Sequence, residues 1–137
     1  MASIEESNKA LAKRFLDALS RGDVEIAAEL YGEDFELWTA GSLPFSGTSN
    51  REQALAGMPQ VLGLFPGGLS FRIDAMTAEG ERVAIEARSD GATAKGIRYQ
   101  QTYHFLMTAR DGKIVGFREY MDTELARAVL VEGREPG

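Results

Sequence analysis

The segment from Ile97 to Thr123 constrains the fold more than any other part of this sequence. Apolar and polar residues alternate on both sides of Asp111-Gly112. This alternation predicts two antiparallel strands, and the Asp-Gly pair is a strong signal for the tight turn between them. Near the end of the second strand, Glu119 falls on the same face as Phe117 and Met121, because side chains alternate with a period of two. A carboxylate with such neighbours is either exposed to solvent or buried for a purpose.

The composition is that of one globular domain without thiol chemistry. The chain has 137 residues, enough for a single domain with its own core. Its net charge of −6 argues against a general nucleic-acid binder, since neutralising phosphates requires clustered Lys and Arg. With no cysteine and one histidine, neither disulfides nor the usual zinc and iron sites are expected. We also expect no cofactor. Because the sequence shows no signal peptide and no membrane span, we expect a cytoplasmic protein.

Helical patterns fill the first half of the chain. An apolar stripe from Ile4 to Leu19 predicts a first helix, and Asp23 caps a second one that includes Tyr31. A short strand, Phe35–Trp38, and a loop, Thr39–Thr48, follow.

A third helix is predicted to begin with a capping box formed by Ser49 and Glu52. It extends to Phe65, with a kink or break at Pro59. From Phe71 onward the pattern has the period of strands. Helices followed by an antiparallel meander predict an α+β domain with the helices on one face of a curved sheet. A short helix, Thr123–Val131, is expected near the end, and residues 132–137 are expected to be a frayed tail of the single domain 1–137.

Four stretches carry a family pattern: RFLDALSRGDVEIAAELYGEDFELW, PFSG, NREQAL and DGKIVGFREYMDT. Together they resemble the nuclear transport factor 2-like superfamily, and within it the SnoaL-like and ketosteroid-isomerase-related branch, over about residues 5–125. The resemblance implies a cone-shaped, mainly antiparallel sheet wrapped around three N-terminal helices (a cystatin-like α+β barrel) with a pocket inside. Members include polyketide cyclases, steroid isomerases, limonene-epoxide hydrolases, dehydratases and non-catalytic binding modules, so the fold alone does not give an activity.

The likeness to limonene-epoxide hydrolases implies further candidates. Those enzymes use an Asp-Arg-Asp arrangement. Arg88-Ser89-Asp90 matches its Arg-x-Asp part when the hairpin that follows is shorter, and without that gap Glu86 and Arg88 take the two positions in reversed charge order. Glu119 takes the place of the other Asp. Their Tyr-x-Asn pair is missing, because Trp38-Thr39-Ala40 stands in that position. Judged from the residues alone, Glu86 shares a strand face with Arg88 and Asp90, and this face points either into the cone or to solvent.

The register of the hairpin decides which residue faces Glu119. A two-residue turn would pair it with His104, whereas a three-residue loop with a bulge at Gly112 would pair it with Tyr103, and Phe105 with Phe117. We favour Tyr103, because that register collects the more coherent apolar lining. His104 then lies on the outer face, and a His104–Glu119 dyad is the alternative.

These observations define two sets of candidate residues. The catalytic candidates are Glu119, Tyr103, Arg88, Asp90 and Glu86. The substrate-binding candidates are Phe15, Trp38, Leu62, Phe65, Gln101, Phe105, Phe117 and Met121. Burial would raise the pKa of Glu119 into the range useful for general acid–base catalysis, and Tyr103 would donate a hydrogen bond to an oxyanion or epoxide oxygen.

We expect a cofactor-independent isomerase, cyclase or epoxide hydrolase that acts on a small hydrophobic molecule. One alternative is a ligand-binding module without chemistry. Another is a protein-interaction domain that uses the outer sheet face around Arg98, Gln100, His104 and Tyr120. In the superfamily this face more often forms a homodimer, so a homodimer is also expected.

Overall fold

The computed structural model describes residues 2–137 and has the expected α+β class. Its elements follow one another as α1 (Ile4–Ser20), α2 (Val24–Leu30), β1 (Tyr31–Thr39), β2 (Gly47–Asn50), α3 (Arg51–Leu62), β3 (Ser70–Glu79), β4 (Arg82–Ala92), β5 (Arg98–Arg110), β6 (Lys113–Met121), α4 (Thr123–Ala126) and a π-helical turn, Arg127–Val131. The predicted terminal helix thus corresponds to α4 and the π-helical turn.

The six strands form one mixed sheet in the order β2-β1-β6-β5-β4-β3. Neighbouring strands are antiparallel except β1 and β6, which run parallel. Because β2 and β3 remain as edges, the sheet is open. The parallel pair places the end of β1 beside the end of β6, which carries Glu119.

The main core lies between the helices and the inner face of the sheet. Helix α1 packs against β3 and β4. Its buried side chains meet those of the central strands, and the largest contributors are Leu11, Phe15, Leu16, Phe35, Val83, Ile85, Phe105, Met107, Ile114 and Phe117. A second cluster, formed by Phe65, Leu69, Ile97, Tyr99 and Val129, connects the C-terminal turn to the sheet. Within residues 2–137, no helix is long and apolar enough to cross a membrane.

Three local predictions for the first half of the chain are wrong. The capping box of α3 is formed by Asn50 and Gln53, one residue later than predicted. The helix passes through Pro59 without breaking and ends at Leu62, so Phe65 lies beyond it. Proline has no N–H to donate to the carbonyl of Leu55, so α3 lacks one internal hydrogen bond at this point. The predicted loop Thr39–Thr48 is too long at both ends, because Thr39 belongs to β1 and Gly47–Asn50 form the short strand β2, while residues 40–46 do form a loop.

The hairpin between β5 and β6 combines a tight turn with a bulge. Asp111 and Gly112 both have positive φ angles, 53° and 75°, as a two-residue turn of this kind requires. The pairs next to the turn follow that register, but Thr108 pairs with Gly116 while Ala109 pairs with Ile114. One extra residue, Val115, is therefore inserted into β6.

This bulge changes the partner of Glu119. Glu119 pairs with Phe105, and Tyr103 pairs with Met121. Both predicted partners of Glu119, Tyr103 and His104, are wrong as direct partners, and so is the pairing of Phe105 with Phe117. The prediction that Tyr103 shares the face of Glu119 while His104 lies on the other face is confirmed.

Candidate active site

Glu119 lies on the inner face of the sheet, in the middle of three neighbouring strands. Phe105 of β5 is its partner on one side, and Thr39 of β1 is its partner on the other. The hydroxyl of Thr39 donates a hydrogen bond to Oε2 of Glu119 at 3.3 Å. Thr39 is buried and Glu119 is half-buried. The Glu119 side chain is thus mostly enclosed by protein.

The surroundings of Glu119 favour its neutral form. Burial raises the pKa of this carboxyl group to about 7, and the hydrogen bond from Thr39 acts in the opposite direction. Desolvation penalises the charged form of an acid, which is the dominant cause here. Near neutral pH both the acid and the carboxylate are therefore populated, as a group that accepts and returns a proton requires.

Three tyrosine hydroxyls lie close enough to Glu119 for its negative charge to affect their pKa values. Burial raises the pKa values of Tyr31, Tyr99 and Tyr103, that of Tyr99 to about 12, and the negative charge of Glu119 raises all three further. These hydroxyls stay protonated throughout the physiological range. They are therefore hydrogen-bond donors in the neighbourhood of a titrating carboxyl group.

Tyr103 is held in place by stacking and by one hydrogen bond. Its ring stacks on Phe105 with a centroid distance of 4.7 Å and lies 5.6 Å from the ring of Phe71. Its hydroxyl is 2.8 Å from Oγ of Ser89. Tyr103 is half-buried, so its position is fixed while part of its surface stays accessible.

Aromatic side chains surround this region with an apolar wall. Successive ring contacts connect Phe71, Tyr103, Phe105, Phe117, Phe15, Tyr31 and Phe35. The predicted lining residues Phe15, Phe105 and Phe117 are thus buried in the core behind Glu119. Their rings lower the local polarity, which strengthens electrostatic interactions at the carboxyl group.

Gln101 does not have a free group for a ligand. Its Oε1 accepts hydrogen bonds from the backbone N–H of Thr102 and of Asp122, each at 3.0 Å. Its Nε2 donates to the hydroxyl of Tyr99 at 2.9 Å and to the carbonyl of Asp122 at 3.0 Å. An amide has two donor hydrogens and two acceptor positions, and all four are used. The prediction that Gln101 binds substrate is not supported by this geometry.

The charged trio of β4 points away from Glu119. Asp74 binds Arg88 through two hydrogen bonds of 2.9 Å, and Arg98 binds Asp90 through two of 2.7 Å. Glu86 is exposed. Strand alternation explains this placement, because the intervening Ala87 and Ser89 are buried on the inner face.

The structure therefore does not bring Glu86, Arg88 or Asp90 to the candidate site. The Asp-Arg-Asp arrangement implied by the resemblance is not assembled from these residues. The solvent-exposed alternative is the one that the structure shows.

Trp38 also lies on the outer face of the sheet, because its neighbour Thr39 is the residue that faces inward. The guanidinium carbon of Arg118 lies 4.0 Å from the Trp38 ring, and the Tyr120 ring is 5.2 Å away. His104 contacts Tyr120 on the same face. The assignment of Trp38 to the substrate lining is wrong for this reason, and a His104–Glu119 dyad is not formed.

Leu62 and Phe65 lie in a different part of the molecule. Leu62 lines a surface cleft of about 320 Å³ between the ends of α1 and α3, together with Leu19 and Leu69. Phe65 packs against Tyr99 at a centroid distance of 5.7 Å. Neither residue belongs to the strands that surround Glu119. Met121, by contrast, pairs with Tyr103 and is half-buried beside the site.

Sequence reasoning missed Thr39, Ser89 and Tyr99. Tyr99 has the same strand parity as Tyr103, so the period of β5 already placed both on one face. Ser89 was placed between two charged residues on the strand, and its inward orientation followed from the choice of face. Thr39 carried no such signal, because its position depends on the parallel pairing of β1 with β6. Within the described residues, 2–137, no group of three or more His, Cys, Asp or Glu side chains is placed to hold a metal ion.

Comparison with known proteins places the chain in a family. A family model for the SnoaL-like domain matches residues 12–117. A solved NTF2-like protein from Burkholderia xenovorans LB400 is 28% identical, with a TM-score of 0.72 over 93% of this chain and 98% of that chain. An LEH-like epoxide hydrolase from M. tuberculosis is 20% identical, with a TM-score of 0.75 over 96% of this chain and 94% of that chain.

A third similar structure, described as a candidate SnoaL-like polyketide cyclase from Jannaschia sp. CCS1, is 22% identical, with a TM-score of 0.75 over 90% of each chain. The comparison with curated proteins finds no match. The two structures below 25% identity support the fold alone. Because the family model covers most of the sequence and its fold is shared by these structures, this chain belongs to the SnoaL-like domain family.

Proposed function

We propose that this protein catalyses cofactor-independent proton transfer next to the carbonyl group of a small apolar molecule, as an isomerase or a cyclase does. The observation that carries this proposal is the half-buried carboxyl group of Glu119, whose pKa is raised to about 7 by burial. A group with a pKa near the working pH serves both as base and as acid.

In this mechanism Glu119 removes a proton from the carbon next to the carbonyl. The negative charge that develops moves onto the carbonyl oxygen, where the protonated hydroxyl of Tyr103 stabilises it by a hydrogen bond. Glu119 then returns the proton to another carbon of the conjugated system. Alternatively, the enolate carbon attacks a second carbonyl and closes a ring, and the alkoxide formed there takes the proton from Glu119. Both routes begin with the same proton transfer and need the same residues.

The charge of the site favours a neutral substrate. Arg88, Arg98 and Arg118 lie on the outer face, with their guanidinium groups bound to carboxylates or packed against aromatic rings. An anionic substrate would meet the carboxylate of Glu119 without a compensating cation, and the interaction would be repulsive at short range. The same placement argues against epoxide hydrolysis of the limonene-epoxide hydrolase type, because Arg88 does not bridge two acids at this site.

The test is the exchange of hydrogen for deuterium next to the carbonyl of a panel of neutral cyclic ketones, followed by NMR in D₂O. We expect the wild-type protein to accelerate exchange and Glu119→Gln to abolish the acceleration while the fold is retained. The matched control is Glu36→Gln, which removes an exposed carboxylate from β1 and should leave the rate unchanged. Exchange that survives Glu119→Gln would contradict the proposal.

The second candidate function is a ligand-binding module without chemistry. The Glu119 region would then hold a small hydrophobic molecule through its aromatic wall. Mass spectrometry of a molecule that co-purifies with the native protein distinguishes the two functions. A bound compound that is recovered unchanged, together with no ketone exchange, favours the binding module. The cytoplasmic location expected from the sequence stays a prediction.

We also propose that the outer face of the sheet forms a homodimer. Trp38, Arg118 and Tyr120 make a compact aromatic and cationic group there, and Tyr120 is 38% exposed. Aromatic residues and arginine are enriched in protein interfaces. Sedimentation of wild-type protein should show a dimer, and Tyr120→Asp should give a monomer. The control is Val61→Asp, which replaces an apolar residue of similar exposure, 39%, on α3. A wild-type monomer would contradict this proposal.

A further inference from the structure

Ser89 places a buried hydroxyl group beside the candidate site. It lies on the inner face of β4, is 4% exposed, and pairs with Phe71 of β3 on one side and Gln101 of β5 on the other. Its Oγ is 2.8 Å from the hydroxyl of Tyr103, which is the only hydrogen bond of this side chain within residues 2–137. Because a serine hydroxyl carries one proton, the acceptor of that proton decides how the two hydroxyls interact.

Neither strand neighbour of Ser89 offers an acceptor for its proton. The side chain of Phe71 has no polar atom. The amide oxygen of Gln101 already accepts from two backbone N–H groups, each at 3.0 Å, so both of its acceptor positions are used. The hydroxyl of Tyr103 is therefore the acceptor that the described part of the chain provides for Ser89.

The reverse direction of this hydrogen bond would leave a buried proton without a partner. If Tyr103 donated to Ser89, the proton of Ser89 would have no acceptor in a place almost closed to water. A buried donor without a partner is costly. If Ser89 donates instead, the remaining proton belongs to Tyr103, which is only half-buried and can meet a substrate. The difference in burial thus selects Ser89 as the donor.

We propose that Ser89 is a positioning residue: it donates its proton to the hydroxyl of Tyr103 and so leaves the Tyr103 proton for the carbonyl oxygen of the substrate. This inference rests on the proposed function, because it acts through the donor that stabilises the enolate there. The Tyr103 ring is held by stacking on Phe105 at 4.7 Å, so the hydrogen bond from Ser89 sets the rotation that remains, that of the hydroxyl. No covalent bond changes in this step.

The same hydrogen bond makes Tyr103 a stronger donor. Burial is the main cause that raises the pKa of Tyr103, and the hydrogen bond with Ser89 acts in the opposite direction. A donor to the phenol oxygen stabilises the negative charge that grows there as Tyr103 shares its proton with an enolate. Loss of the Ser89 hydroxyl should therefore weaken Tyr103 as a donor. With the reverse direction, the same loss would release the Tyr103 proton and strengthen it.

The first test compares the hydrogen exchange of the two hydroxyls without any ligand. In protein labelled with ¹³C at serine Cβ and tyrosine Cζ, in equal parts of H₂O and D₂O, a slowly exchanging hydroxyl gives two carbon signals and a rapidly exchanging one gives a single signal. We expect two signals for Ser89 and one for Tyr103. In Tyr103→Phe the two Ser89 signals should merge, because the acceptor is lost. Any other pattern in the wild-type protein, or two Ser89 signals that persist in Tyr103→Phe, would overturn the proposal.

The second test measures the strength of the Tyr103 donor with 4-nitrophenolate, whose oxygen stands in for an enolate oxygen. The parent is Glu119→Gln, which removes the repulsion between Glu119 and the probe. Ser89→Ala should weaken binding about fivefold, the value of one ordinary hydrogen bond. Ser89→Cys nearly keeps the volume but is a weak donor, so it should weaken binding to a similar extent. In the Tyr103→Phe background both substitutions should change binding less than about twofold.

The results that would overturn the inference are distinct. Unchanged or tighter binding in Ser89→Ala would mean that Tyr103 donates to Ser89. Parent-like binding in Ser89→Cys, or weakening that persists in Tyr103→Phe, would assign the effect to packing. No binding to the parent would mean that Tyr103 does not present its proton to an oxygen. Failure of the proposed function is separate, because it would show as ketone exchange that is independent of Glu119, with the exchange pattern of the two hydroxyls intact.

Discussion

The hydroxyl of Thr39 donates a hydrogen bond to Oε2 of Glu119 at 3.3 Å, across the parallel pair of strands β1 and β6. This contact gives the carboxylate a neutral partner in place of a cation. A neutral donor compensates only part of the cost of burying a charge. The pKa of Glu119 is therefore raised by its surroundings, and this relationship is the basis of the proposed chemistry.

Burial of Glu119 should make the folded protein less stable as pH rises. The pKa is about 7 in the folded state and 4.5 in the unfolded state, so the folded state holds the proton more tightly between these values. Stability therefore falls from about pH 4.5 to pH 7 and then stays lower. Glu119→Gln lacks this penalty, and above pH 7 it should gain up to about 3 kcal/mol relative to wild type. Urea unfolding of both proteins across this pH range measures the difference.

The control for this experiment is Glu36→Gln on the exposed side of β1. Its unfolding free energy should run parallel to that of wild type at every pH. If the curve for Glu119→Gln is also parallel, the carboxyl group is not desolvated, and the account of the site is wrong.

The hydrogen bond from Thr39 should hold the pKa of Glu119 lower than burial alone would set it. Thr39→Val removes this donor and keeps the shape of the side chain, so we expect the pKa of Glu119 to rise further. Thr39→Ser keeps a hydroxyl and should leave the pKa close to the wild-type value. NMR titration of the carboxyl carbon measures both variants. A fall of the pKa in Thr39→Val would show that this hydroxyl does not stabilise the ionised form.

The loop after β1 depends on a glycine beside the C-terminal segment. Gly41 has a φ of +92°, and a Cβ there would lie 2.7 Å from Cγ2 of Thr123. Gly41→Ala should destabilise the protein by about 2 kcal/mol or more, because it adds a clash to the backbone strain. Gly47→Ala is the matched control, since Gly47 has a φ of +95° and no neighbour within 4 Å. Thermal unfolding compares the two variants.

The clash itself can be separated from the strain. Thr123→Ser removes the methyl group that the new Cβ would meet. Combined with Gly41→Ala, it should bring the loss of stability close to that of Gly47→Ala. Equal losses of stability in Gly41→Ala and Gly47→Ala would mean that the contact with Thr123 does not contribute to the destabilisation.

The N-terminus of α3 gives a test of the corrected capping box. The side chain of Asn50 accepts from the backbone of Gln53 at 2.9 Å, and Gln53 reaches back to Asn50. Asn50→Ala should therefore cost about 1 kcal/mol of stability. Ser49→Ala, at the position predicted from the sequence, should cost much less. The reverse order in urea unfolding would restore the sequence-based assignment.

The hairpin shows which structural features the sequence predicts and which it does not. The two strands, their turn and the inward face of Glu119 follow from alternation and from Asp111-Gly112. The partner of Glu119 does not, because Ile114 and Phe117 are both buried although they are three residues apart. Residues three apart on a regular strand point to opposite faces, so both can be buried only if one extra residue lies between them, and that residue is Val115. A bulge is a compromise between turn geometry and burial, and its position is not readable from period-two alternation.

The charged face of β4 shows a different limit. Alternation correctly placed Glu86, Arg88 and Asp90 together, but it did not state which face is inward. The buried positions of this strand are Val83, Ile85, Ala87 and Ser89. The hydropathy contrast between the two faces is clear at Val83 and Ile85 but weak at the small residues Ala87 and Ser89, which alternate with the charged trio. On the outer surface, Arg88 pairs with Asp74 of β3, and Asp90 pairs with Arg98 of β5. Such pairing across strands depends on the whole sheet and is not local.

The most direct test of the account is the NMR titration of the Glu119 carboxyl carbon in the wild-type protein, assigned by comparison with Glu119→Gln. We expect a single titration with a pKa of about 7, clearly above the ordinary glutamate value of 4.5. A pKa close to the ordinary value of 4.5 would show that the carboxylate is solvated and would contradict its role as the acid–base group of this protein.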